Sequence, residues 1–261
     1  MSRIDKKFKE LKQLKKKAFI AFISAGDPDL RTTADLVIAL GNAGVDIIEL
    51  GIPFSDPLAD GPTIQASFER ALKKGVTVPK ILQMVGQVRK FSQTPIALMT
   101  SYNPVFHYGE EKFIKDARAA GVDGIIIPDL PPEEAKTLIA LARKADISTV
   151  FFFSPTTAAH RVKRISDAST GFIYYVSLTG VTGARTALPP DLIEKIKKAK
   201  RATKKPVCVG FGISTREQVK AISAVSDGVI VGSAIVKEIE KNSSQPDMVD
   251  RVAQFVKNLM I

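Results

Sequence analysis

Short runs of β-branched and aromatic residues alternate with longer amphipathic segments along all 261 residues of the chain. Eight such runs stand out, at residues 18–24, 46–50, 95–99, 124–127, 149–153, 172–177, 207–210 and 228–231. Several are apolar at nearly every position, the pattern of parallel strands covered on both faces, where inside–outside alternation disappears. The segments between them repeat apolar residues at helical spacing over about 10–15 residues, and some carry start signals. Asp29 precedes the 30–40 pattern, and Ser214 precedes residues 215–223 with Glu217 three positions on, which predicts a capping box. Ala43-Gly44-Val45-Asp46 recurs 77 residues later as Ala120-Gly121-Val122-Asp123, with a weaker third copy at Ser226-Asp227-Gly228. The first two copies read as a helix end, a glycine at positive φ and the start of a strand. No linker-like stretch divides the chain, so residues 1–261 are expected to form a single domain. Eight βα units in a chain of this length predict a (β/α)8 TIM barrel with an extra N-terminal helix. An open doubly wound sheet would want a Gly-rich dinucleotide turn after the first strand, and Ser24-Ala25-Gly26-Asp27-Pro28 is not one.

The formal net charge of +11 changes this picture only once its distribution is known. Residues 1–17 carry a net +6 and residues 195–205 a net +7, which leaves −2 on the rest of the chain. In the first tract Ile4, Phe8, Leu11 and Leu14 fall at helical spacing, so its lysines form the wet face of an amphipathic helix. Phe8 belongs to that apolar stripe, and neither tract offers a series of aromatics for stacking on bases. Both are therefore read as solvated helix surfaces, with no nucleic-acid partner expected. The single cysteine, Cys208, and the two histidines, His107 and His160, exclude a disulfide, a Cys-based zinc site and a His-rich metal site. No run approaches 18 apolar residues, so the expectation is a cytoplasmic chain without membrane span or signal peptide.

In a barrel of this kind chemistry gathers where the strands end. The second strand ends in Glu49, within Ile47-Ile48-Glu49-Leu50, where an ionised carboxylate would be costly unless partnered or kept protonated. A salt bridge to a helix lysine is the structural alternative to a catalytic acid with a raised pKa. The loop that follows, residues 51–62, holds three prolines and two aspartates and is stiff and long for a βα connection. Its Asp60 reads equally as a catalytic group or as the N-cap of a helix opening at Pro62. Glycine-rich turns at Thr179–Ala184, Gly210–Ser214 and Val231–Ala234 follow the last three strands and suit a phosphate. Phe22, Met99, Ile126, Phe152, Tyr174 and Phe211 fall at or near strand ends, where they would suit a flat apolar ring.

The stretch Leu50-Gly51-Ile52-Pro53-Phe54-Ser55-Asp56-Pro57-Leu58-Ala59-Asp60-Gly61-Pro62-Thr63-Ile64-Gln65 resembles the signature of the tryptophan synthase alpha chain family. Residues 22–28, Tyr102-Asn103-Pro104, 121–132, 180–185, 210–214 and 231–236 agree with it in order, so the resemblance covers essentially the whole chain. Ser101 departs from it, since an aromatic is expected before Tyr102-Asn103. The resemblance implies retro-aldol cleavage of indole-3-glycerol phosphate to indole and glyceraldehyde 3-phosphate, without metal or organic cofactor in this chain. It implies Glu49 as a proton shuttle and Asp60, ionised, as acceptor of the indole N–H. It places the phosphate against Gly183, Gly212, Gly232 and Ser233, and the ring among Phe22, Met99, Ile126, Tyr174 and Phe211, with Thr182 beside both. It also implies a beta-chain partner that carries pyridoxal phosphate, in an assembly of two alpha and two beta chains, with loops 53–62 and 178–190 as closing lids. Two other readings are a subunit that only activates a beta chain and another phosphosugar aldolase or isomerase. The first would lack Glu49 or Asp60, and the second would show a Schiff-base lysine at a strand end.

Overall fold

The computed structural model describes residues 1–57, 60–176, 191–210 and 212–261. Eight parallel strands close into a barrel in sequence order: β1 (Ala18–Ser24), β2 (Ile47–Gly51), β3 (Ile96–Met99), β4 (Gly124–Ile126), β5 (Ser148–Phe153), β6 (Ile173–Val176), β7 (Val207–Gly210) and β8 (Gly228–Val231). β8 pairs back onto β1 through Phe19 opposite Val229 and Ile20 opposite Ile230. The expected bounds hold for β1, β7 and β8, and the other strands differ by one residue at one or both ends.

Alternation along the strands splits the core into two layers. Ala18, Ile20, Ile47, Ala97, Ile126, Val150, Phe172, Cys208 and Ile230 pack together inside the barrel. The intervening residues pack outward under the helices, as Phe19, Ile48, Leu50, Leu98 and Val209 do. The N-terminal helix α1 (Arg3–Gln13) closes the end of the barrel where the strands begin. Its Ile4, Phe8 and Leu11 join the interior cluster, and the Phe8 ring lies 5.7 Å from that of Phe172. Leu14, expected on the same stripe, is instead exposed, because the helix stops at Gln13 and Leu14 becomes its C-cap. Buried Asp123 fixes this end further by accepting from Arg3 Nη1 at 2.9 Å, Arg89 Nη2 at 2.7 Å and the Ile96 amide at 3.0 Å. The two lysine tracts also meet here, where Lys17 donates to the Ser226 carbonyl and Lys200 pairs with Asp227.

The helices depart from one per unit. Residues 62–88 form two, α2 (Leu30–Ala43) being followed by α3 (Pro62–Lys73) and α4 (Val78–Val88). The short α5 (Tyr102–Tyr108) precedes α6 (Glu110–Ala120), and α7 (Lys136–Lys144), α8 (Ala159–Ala168) and α9 (Leu192–Arg201) follow in turn. The chain ends with α10 (Arg216–Ser223), α11 (Ser233–Asn242) and α12 (Met248–Leu259). Asp29 caps α2 as expected, accepting from Thr32 N at 2.8 Å. The capping box of α10 lies one residue beyond the expected place, with Thr215 as N-cap and Gln218, not Glu217, returning the bond. The box needs its return partner three residues past the cap, and moving the cap to Thr215 makes that residue Gln218.

Candidate active site

Glu49 points inward on β2, in phase with interior Ile47, and lies opposite Phe22 on one neighbouring strand and Ala97 on the other. It is fully buried, and among the described residues neither carboxylate oxygen has a hydrogen-bond partner. Among the described residues no lysine pairs with it, which speaks against the salt-bridge alternative. Burial, with the nearby charge of Asp60 added, pushes its pKa up to about 8.

Asp60 stands two residues before α3. That helix takes Gly61 as N-cap without any side-chain cap bond, and Pro62 opens it. Asp60 contributes its main-chain carbonyl to Gln65 Nε2 at 2.7 Å, which leaves the carboxylate outside the capping role the sequence allowed. Burial raises its pKa to about 6. The two carboxyls thus differ by environment, Glu49 neutral and Asp60 mostly ionised near pH 7, which is the arrangement that divides acid from base work. The Tyr174 hydroxyl is held well above the usual phenol range by burial and by the charges of Glu49 and Asp60, which marks it as their neighbour.

Glycines make room for the rings around these groups. A Cβ on Gly51 would stand 2.6 Å from Phe22 Cζ, and one on Gly210 would stand 2.4 Å from Tyr174 Oη. Phe22 packs with Ile64, Phe68 and Val236 in a cluster against which Met99 lies. Tyr174 lies against Phe152, ring centroids 5.0 Å apart. Ile126 is fully buried in the barrel-interior cluster against which Met99, Phe152 and Tyr174 pack. Thr182, Gly183, Phe211 and the 178–190 loop lie outside the described residues, as do residues 58 and 59 within the first loop.

A narrow pocket beside Asp60 is lined by Phe68, Met99, Thr100, Ser101, Pro128 and Asp129. Sequence reasoning singled out only Met99 of these as a site residue. Asp129 accepts from the Tyr102 amide at 2.8 Å and so fixes the start of α5 against the end of β4. Pro128-Asp129-Leu130-Pro131 was the available signal for this wall.

The two glycine-rich turns described here differ. At α10 the Gln218 side chain already accepts from Ser214 N at 2.8 Å, and Gly212 upstream turns the chain at φ +53. At α11 Gly232 is the N-cap, with no side-chain cap bond, and Ser233 is the first helical residue. That helix end presents amide donors and the positive end of its dipole without a capping side chain in the way. Among the described residues no group of three His, Cys, Asp or Glu is placed to hold a metal ion, and no helix is long and apolar enough to cross a membrane.

Residues 8–260 match the family model of the tryptophan synthase alpha chain. The tryptophan synthase alpha chain of Geotalea daltonii is 51% identical over 94% of this chain and 93% of its own. The tryptophan synthase subunit alpha of Legionella pneumophila superposes with a TM-score of 0.93 at 39% identity, over 99% of this chain and 97% of that one. A chain from the tryptophan synthase a2b2 complex of Pyrococcus furiosus does so with 0.85 at 42%, over 93% and 97%. An eight-stranded parallel α/β barrel with two buried carboxyls near the ends of its strands defines the class, a TIM-barrel protein. The chain belongs to the tryptophan synthase alpha chain family. It is a lyase of tryptophan biosynthesis, cleaving indole-3-glycerol phosphate to indole and glyceraldehyde 3-phosphate.

Proposed function

We propose that Glu49 and Asp60 divide the acid–base work of this cleavage between them. The observation that carries the reading is the buried Glu49 carboxyl, without a hydrogen-bond partner among the described residues and within reach of the charge of a second carboxyl of lower pKa. Indole is a poor leaving group until its C3 is protonated. Neutral Glu49 gives that proton, and the ring nitrogen takes up positive charge. Ionised Asp60 accepts the N–H and stabilises the cation as it forms. Glu49, now a carboxylate, takes the proton of the glycerol hydroxyl next to the ring. The O–H electrons become the aldehyde C=O, and the C–C electrons return to the ring and restore indole. Glu49 ends the cycle protonated, so proton balance closes within one residue.

Phe22, Met99, Tyr174 and, on the resemblance, Phe211 hold the ring, with Ile126 as its floor. The phosphate sits at the start of α11 against Gly232 and Ser233, with Gly212 and, on the resemblance, Gly183 and Thr182 as its further contacts. Replacing Gly232 with Asp introduces a carboxylate where the anion sits, and its Cβ would stand 3.3 Å from Phe22 Cβ. The expected result is a rise of about tenfold or more in KM with a small change in melting temperature. An unchanged KM would place the phosphate elsewhere.

In this reading the chain uses no metal or organic cofactor of its own and works in the cytoplasm. It hands indole to a beta chain, which carries the pyridoxal phosphate, in an assembly of two alpha and two beta chains. The direct test is indole release from indole-3-glycerol phosphate with and without a beta chain. The expected result is release by the chain alone and faster release with the partner. No indole release with or without beta, alongside a faster beta-chain condensation of added indole, would favour the purely activating role instead.

A further inference from the structure

Asp27, in the loop after β1, is almost wholly buried and receives Arg70 Nε at 2.9 Å and Nη2 at 2.8 Å. The third arm of the same guanidinium, Nη1, reaches Glu240 Oε1 on α11 at 2.7 Å. One planar cation therefore ties three segments, and each carries a different part of the site. β1 carries Phe22, α3 begins two residues after Asp60, and α11 begins at Gly232 and Ser233. The Asp27 side chain is 4% exposed and that of Glu240 is 52% exposed, so the arm to α11 is the looser one.

An apolar part of the α3–α11 contact lies nearer the strand ends. Val236, in the first turn of α11, packs with Phe22, Ile64 and Phe68. Ser24 and Ser67 share a buried hydroxyl contact of 2.6 Å between β1 and α3. Apolar packing sets how close two helices come but slides easily along the contact. A guanidinium fork held by two carboxylates fixes direction as well as distance.

We propose that Arg70 is a positioning residue for the cleavage reaction. Holding α11 against α3, it sets the span between the phosphate-binding helix end and the Asp60 carboxylate, and hence the length of substrate the site accepts. This rests on the assignments of Asp60 and the start of α11 made above. A ligand gripped at both ends gains from the second grip only when the span fits, whereas each half alone is indifferent to it. Loosening the tie should therefore spare the fragments and penalise the joined molecule.

The test compares three ligands on the full chain: indole, glycerol 3-phosphate, and an uncleavable analogue joining indole to phosphate through three hydroxyl-free carbons. Glu240→Gln opens only the half-exposed arm, so its melting temperature should stay near that of the native chain. Its affinity for the joined analogue should fall about five- to tenfold, with KM rising in parallel, while each fragment shifts by less than about twofold. Arg70→Lys keeps the charge but cannot serve three arms, and should show the same pattern more strongly. Equal weakening of all three ligands, or a melting change with an unchanged joined-to-fragment ratio, would overturn the role. Gly232→Asp separates this from the underlying reading. Lost glycerol 3-phosphate binding there, with normal ratios in the other two variants, overturns Arg70 alone. Retained binding there overturns the phosphate assignment and this proposal with it.

Discussion

Glu49→Gln should stop indole release, lowering kcat by about a thousandfold or more, with the barrel intact and the joined indole–phosphate analogue still bound. The amide keeps the shape of the side chain and removes its only titratable proton. Loss of less than about tenfold would remove Glu49 from the proton path. The same variant carries a stability signature. The folded-state pKa of about 8 stands above the 4.5 of an unperturbed glutamate, so the folded chain holds a proton that the unfolded chain has lost. Native stability from this group is whole below pH 4.5 and drains away as pH rises toward 8. A neutral amide drains nothing. The variant should thus gain on the native protein between pH 5 and pH 8, by roughly 1.4 kcal/mol per pH unit at most. Denaturant unfolding at the two pH values reads the difference, and a gap that stays constant would mean that Glu49 titrates normally.

Asp60→Asn is the second large effect, expected at about a hundred- to a thousandfold in kcat, the usual cost of one group that meets developing charge. The amide still offers an oxygen to the ring N–H but no negative charge to the cation. A further consequence follows from the pair. The charge of Asp60 helps raise the Glu49 pKa, so its removal lets that pKa fall. The alkaline limb of the residual activity should then move toward lower pH. A variant with normal turnover and a lowered melting temperature would make Asp60 a structural residue after all.

Much of this was legible in the sequence because it is local. A charged residue at the end of an apolar run identifies Glu49 without any knowledge of its neighbours, and continuous apolar runs identify buried parallel strands. The proline-rich loop likewise announced Asp60, although only the structure, by giving the cap of α3 to Gly61, freed its carboxylate from the alternative role. What was not legible depends on pairs distant in the chain. Asp27 and Arg70 are 43 residues apart and Arg70 and Glu240 are 170 apart, and no periodicity links them. The wall formed by Thr100, Ser101 and Asp129 arises from β3 and β4 lying side by side, and its sequence signals, Pro128-Asp129-Leu130-Pro131 and Ser101 standing where an aromatic was expected, do not by themselves join the two strands. The shift of the α10 cap from Ser214 to Thr215 is a smaller case: two adjacent hydroxyl residues both satisfy the pattern, and backbone geometry chooses.

The central claim is that Glu49 enters the reaction neutral and Asp60 ionised, and the pH dependence of kcat/KM tests it most directly. With pKa values of about 8 and about 6, the profile should rise through about pH 6, peak near 7 and fall through about 8. In Asp60→Asn the acid limb should vanish and the alkaline limb should shift down. A native profile still rising above pH 8, or an acid limb that survives the loss of Asp60, would contradict the assignment of acid and base.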